Sequence, residues 1–173
     1  RLDIGSRFAK LIQNKSEGCR YLGLDEEDGK NFLAGCSDSS QSMTKEAAKL
    51  IRCSEVTESD FSYSTIGVMK GNFVDKHCKE KTIGKKMLWA WSDTGAAWLK
   101  MGGSEYFNIH GKLVVWEGLP KCVLRHPSPG IVGAFFFNWD KNLKSDSSTC
   151  KDLEDSGFFP RGILPNDEMA TTS

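Results

Sequence analysis

Six cysteines are the residues of this chain best equipped for chemistry: Cys19, Cys36, Cys53, Cys78, Cys122 and Cys150. A thiol can join a disulfide, ligate a metal or act as a nucleophile, and spacing discriminates among these uses. The closest cysteines in sequence are 17 residues apart, and no pair has the C-x-x-C spacing that structural zinc sites normally use. His77 and Cys78 are adjacent, an awkward arrangement for joint tetrahedral ligation. Metal binding is therefore disfavoured. An even count without close pairs reads as three disulfides and an oxidising compartment. Asn14-Lys15-Ser16 is a glycosylation sequon, and the chain opens on Arg1 instead of Met, as a mature secreted protein would after signal removal. The three histidines, His77, His110 and His126, have no nucleophile motif around them and read as surface or loop residues. There is no P-loop and no dinucleotide-binding glycine fingerprint.

The elements that must position these residues belong to one domain. A chain of 173 residues buries roughly 70% of its unfolded surface, so cross-links would reinforce a core, not replace it. Acidic and basic residues balance at 23 each. No basic excess exists to neutralise phosphates, which argues against nucleic acid as a partner. No apolar run approaches the ~20 residues of a membrane-spanning helix.

Helical periodicity falls on residues 1–18 through Leu2, Ile4, Phe8, Leu11 and Ile12, and again on Met43–Ile51. Asp25–Lys30 reads as a solvated loop. Thr57 and Asp60 suit a helix start that would lead into a face carrying Phe61 and Ile66. Lys85–Ser92 reads as a buried strand, Ala96–Leu99 as a helix stopped by Gly102-Gly103, and Leu113–Trp116 as another buried segment. Ala134–Leu143 fits an aromatic helix or strand. Residues 1–166 form the expected domain, and 167–173 a polar, disordered tail.

Several stretches in order resemble the ADP-ribosyl cyclase family, the animal NAD glycohydrolases. Cys36 precedes a helix that runs into Cys53, and Val56-Thr57-Glu58-Ser59-Asp60-Phe61 follows. Cys78 and a lysine-rich turn then lead into Met87-Leu88-Trp89-Ala90-Trp91-Ser92. Gly111 with Leu113–Gly118, and Asp155–Asn166, complete the similarity. The resemblance implies an α+β, mainly helical fold: a disulfide-stapled helical lobe with a reduced sheet. It also implies the pairs Cys19–Cys36, Cys53–Cys122 and Cys78–Cys150.

In that family a carboxylate stabilises an oxocarbenium-like state while tryptophans sandwich the nicotinamide. Carried onto this chain, Trp91 and Ser92 take the first tryptophan position, Phe136 falls near the second with Trp139 three residues away, and Glu105 stands about where a signature glutamate would. Ile163 fills the catalytic glutamate's slot before Leu164-Pro165-Asn166 and cannot stabilise a cation. The implied function is a secreted, glycosylated, catalytically degenerate relative with no cofactor. It would bind an extracellular protein partner, or NAD or ADP-ribose. An active NAD glycohydrolase using Glu105 and Glu117 is the second reading. An unrelated secreted disulfide-rich signalling or toxin-like protein is the third.

Overall fold

The computed structural model describes residues 3–27, 30–34, 38–53, 61–71, 73–74, 83–101, 103, 105–117, 122–125, 130–140 and 142–162. Among them the chain runs α1 (Ile4–Gln13), β1 (Gly18–Glu27), β2 (Lys30–Ala34), α2 (Asp38–Arg52), β3 (Thr65–Lys70), β4 (Phe73–Val74), β5 (Ile83–Ser92) and β6 (Trp98–Met101). It continues through β7 (Phe107–Asn108), β8 (Leu113–Glu117), β9 (Cys122–Arg125), β10 (Ile131–Asn138), a 3-10 turn (Leu143–Ser145) and α3 (Ser147–Asp155). Six strands form one sheet in the order β2-β1-β3-β10-β5-β8, and four form a second in the order β4-β9-β6-β7. Every pairing between these strands is antiparallel.

β10 organises the core. Its sequence, Ile-Val-Gly-Ala-Phe-Phe-Phe-Asn, is rich in the β-branched and aromatic residues that favour strands, and all eight positions are buried. Successive side chains alternate faces. Phe136 and Ala134 share a face with Met87 and Trp89, their partners on β5. Phe135 and Phe137 face the other way, where Trp116 lies 5.6 Å from Phe135 and Tyr21 packs edge-on to Phe137 at 6.2 Å. Tyr63 sits against Phe136, Phe158 and Phe159 at 5.2, 6.0 and 5.5 Å. Burial pushes its phenol pKa up, with Arg52's charge offsetting only part of the rise, so the group stays neutral.

α1 begins because the Asp3 carboxylate accepts from the Gly5 amide at 3.0 Å, a side-chain N-cap. Phe8, Ala9 and Ile12 form its buried stripe, and Phe8 meets Trp89 at 5.1 Å. At the other end, Lys70 Nζ donates to the carbonyls of Gln13 (2.8 Å) and Lys15 (3.1 Å). A cation there satisfies carbonyls that the helix leaves open and complements its dipole.

The structure corrects the expectation of a mainly helical, disulfide-stapled fold. The described chain is mainly antiparallel sheet, with helices on a minority of it. Ala96–Leu99 is the clearest local error. Ala97 and Leu99 are buried while Trp98 is 40% exposed, a period of two that builds β6, not a helical turn. Asp25–Lys30 is also no free loop: Glu27 of β1 pairs in register with Lys30 of β2.

No disulfide occurs among the described residues. Cys19 on β1 and Cys53 after α2 are surface residues with free thiols, that of Cys19 partly buried. Cys150 is buried in α3 with its thiol donating to the Leu143 carbonyl at 3.2 Å. The pairs Cys19–Cys36, Cys53–Cys122 and Cys78–Cys150 therefore each lose a member, while Cys36, Cys78 and the Cys122 side chain lie outside the described residues. The oxidising compartment was inferred from those bridges and loses that support. With the fold and the bridges goes the resemblance to the ADP-ribosyl cyclases, together with the degenerate or active cyclase function drawn from it. The Thr57–Asp60 helix start, Ile163 and the tail fall outside the described residues.

Candidate functional site

A cleft of about 380 Å³ opens where α1 ends and β1 begins. The sequence builds it from three segments. α1 contributes Ile12, the connection contributes Lys15 and Glu17, and the paired ends of β1 and β3 contribute the rest. Gly18 makes the entry into β1 with φ at +124°, a conformation that L side chains rarely adopt. The register then sets Gly18 opposite Lys70 and Cys19 opposite Met69. The hold of Lys70 on the end of α1 fixes one wall against the other.

The cleft's chemistry divides cleanly. Ile12 and Val68 are almost fully buried and give it an apolar floor, while Met69, the next residue of β3, turns to the sheet's other face. Lys15, Arg20 and Lys70 bring three positive charges to its lining, against one carboxylate from Glu17. Two of the three Lys70 ammonium protons go to carbonyl oxygens, leaving a third donor. Cys19 borders the same space, but its thiol turns to the sheet's other face, beside Tyr21 and Gly67. Burial pushes its thiol pKa up, and a hydrogen bond with Tyr21 pulls it back by less. Since the thiolate is the nucleophile, Cys19 is poorly suited to covalent catalysis near neutral pH. Asn14, the sequon residue, is exposed beside the cleft.

The aromatic residues expected to grip a nicotinamide do not converge. Trp91 is half-buried at the end of β5, stacked at 6.1 Å on Trp89 and 4.4 Å from the His110 ring. Phe136 is fully buried, and the register puts Val132, not Phe136, opposite Trp91. Four residues of strand separate those positions, roughly 13 Å. Trp139 is buried too, its indole N–H donating to the Leu24 carbonyl at 3.0 Å. Glu105 is exposed just ahead of β7.

Ser92 is buried, and its amide donates to His110 Nδ1 at 3.0 Å. In the neutral imidazole this leaves the proton on Nε2. Ser92 Oγ lies 3.0 Å from Thr94 Oγ1, so the serine and histidine meet through backbone, not as nucleophile and base. His110→Phe retains an aromatic beside Trp91 but strands the Ser92 amide. It should cost about 1–3 kcal/mol, read as a lower midpoint in urea unfolding.

No group of three or more His, Cys, Asp or Glu suited to a metal occurs among the described residues. No described helix is long and apolar enough to cross a membrane. The cleft residues Lys15, Arg20, Val68, Met69 and Lys70 went unnoticed in the sequence. The one available signal was a lysine closing the apolar run Thr65–Met69.

Comparison with known proteins finds no family model that matches the chain and no curated protein similar to it. Among solved structures, the ribosomal oxygenase YcfD from Escherichia coli, in complex with cobalt and succinic acid, aligns at 12% identity with a TM-score of 0.38. That alignment covers 99% of this chain and 58% of YcfD. A second structure of the same oxygenase aligns over the same shares at 11% identity and a TM-score of 0.38. The chain thus spans little more than half the length of these proteins. A likeness of that size establishes neither a shared fold nor a shared activity.

Proposed function

We propose that this chain is a binding protein for a small amphiphilic anion, held in the cleft between α1 and the β1–β3 pair. One observation carries the reading: an apolar floor of Ile12 and Val68 lies beneath a lining with three cations and one carboxylate. Such a site suits an apolar body ending in a carboxylate, sulfate or phosphate. The volume, about 380 Å³, is at the small end of ordinary ligand sites, which run from roughly 300 to 1,000 Å³. A His110 whose Nδ1 accepts a backbone amide, with Ser92 Oγ turned to Thr94, favours binding over catalysis. NAD and ADP-ribose were expected only from the family resemblance, and the cleft gives them no separate support.

Calorimetric titration with decanoate tests this, with decanol as the uncharged control. Decanoate should bind with a micromolar Kd and decanol at least ~10-fold more weakly, a difference of about 1.4 kcal/mol. The double variant Lys15→Glu/Arg20→Glu should weaken decanoate ~30-fold and leave decanol nearly unchanged. Equal binding of acid and alcohol, or no binding of either, refutes the proposal.

A further inference from the structure

The margins of the two sheets are protected unequally. β4 and β7, which end the smaller sheet, are two residues long. The larger sheet ends on two five-residue strands: β2, which begins with Lys30, and β8, which among the described residues pairs only with β5. Natural edge strands are generally blunted by brevity, by lysine or proline within the strand, or by a bulge. β8 reads Leu-Val-Val-Trp-Glu and its pairing with β5 runs without a register shift. Leu113, Val114, Val115 and Trp116 are each only half-buried. Four consecutive apolar side chains thus flank a row of backbone donors and acceptors that no described strand pairs on one side.

We propose that β8 pairs antiparallel with β8 of a second copy of this chain, joining the two six-stranded sheets across a two-fold axis. The sequence around β8 selects a copy of itself and a register. A two-fold axis normal to the sheet sets one residue opposite itself, and opposed residues share a face. Centred on Val114, Leu113 meets the partner's Val115, and Lys112, the turn residue just before β8, falls opposite the partner's Trp116. The exposed Lys112 ammonium then lies over an indole at both ends of the ladder, a favourable cation–aromatic contact. Centred on Val115, Leu113 would meet the carboxylate of the partner's Glu117, so that register is worse. The interface is isologous and uses up the β8 edge of each copy, which gives a closed dimer, not a fibre.

Sedimentation equilibrium of the full chain should give a dimer at micromolar concentration, and Val114→Lys should weaken it ~100-fold, the effect of a lysine placed on an open edge. The register has its own readout. Opposed Cα atoms across the axis lie about 4.5–5.5 Å apart, within disulfide reach. Val114→Cys should therefore give a disulfide between the two copies through the introduced thiols under mild oxidation, identified by peptide mass, and Val115→Cys should not. A chain that stays monomeric at ~100 µM overturns the proposal, including the case in which the edge captures an unrelated extended peptide. Cross-linking through Val115→Cys in preference to Val114→Cys overturns the register and the complementarity it rests on.

Discussion

Replacing Phe136 with alanine should cost about 3–5 kcal/mol of folding stability, the usual range for removing a buried phenylalanine. Its ring is fully buried at the middle of the larger sheet, 5.2 Å from Tyr63 and opposite both Ile66 and Met87. The neighbouring strands are paired on both sides of β10 and cannot close over the void. Domains of this size are stable by about 5–15 kcal/mol, so the variant should lose a large fraction of its margin. Urea unfolding followed by tryptophan fluorescence would show the loss as a lower midpoint with an unchanged slope. A ligand-stacking Phe136 would behave oppositely, with ligand affinity falling and the midpoint holding. A loss below about 1 kcal/mol would contradict its place in the core.

Gly23→Ala should be damaging for a different reason. Gly23 pairs with Ala34 of β2 on one side and with Thr65 of β3 on the other, at the centre of β1. Its φ is +97°, where L side chains are strained. A Cβ there would run into the Ser64 carbonyl oxygen and come within 2.6 Å of the Phe158 ring. Ser64 is not free to retreat, because its carbonyl accepts the Leu24 amide at 2.9 Å. Strain and clash together should cost about 3 kcal/mol or more, and partial collapse of the β1–β3 pairing would follow. Thermal unfolding by circular dichroism measures it. Gly71→Ala offers a contrast: φ is +100° but nothing lies within 4 Å of a new Cβ, so the strain acts alone and the loss should be smaller.

The sequence revealed those elements whose local pattern and tertiary environment agree. Lys85–Ser92 reads as a strand because Met-Leu-Trp-Ala-Trp is apolar and bulky, and it is β5. Met43–Ile51 reads as a helix because Ala47, Ala48, Leu50 and Ile51 supply good formers and an apolar face, and it lies within α2. Ala96–Leu99 failed because composition outweighed period: alanines suggest a helix, while burial alternates through Ala97, Trp98 and Leu99. Asp25-Glu26-Glu27 failed because charge suggested solvent, whereas a hairpin carries charged residues on its paired strands.

The cysteines misled for a separate reason. Even parity says nothing about which thiols lie near one another, and Cys150 instead spends its proton on a carbonyl inside the fold. The resemblance to the cyclases rested on short apolar and aromatic stretches. Such stretches are what any buried strand supplies, and Trp89 and Phe136 are buried strand residues here. The cleft could not be read at all from spacing. It exists because Lys70 reaches back to Gln13 and Lys15, more than 50 residues earlier, and because β1 pairs with β3 in one register.

Lys15 makes the central claim directly measurable. It lines the cleft, whereas Lys45 is exposed on α2 and lies outside it. The rate of acetylation of each by acetic anhydride, followed by peptide mass with and without saturating decanoate, uses the unmodified chain with its own internal control. If the cleft holds the anion, decanoate slows labelling of Lys15 by ~10-fold or more and leaves Lys45 unchanged, as expected for occupancy at about ten times Kd. Equal rates at Lys15 with and without decanoate, under conditions where calorimetry shows the ligand bound, would place the ligand elsewhere and contradict the account.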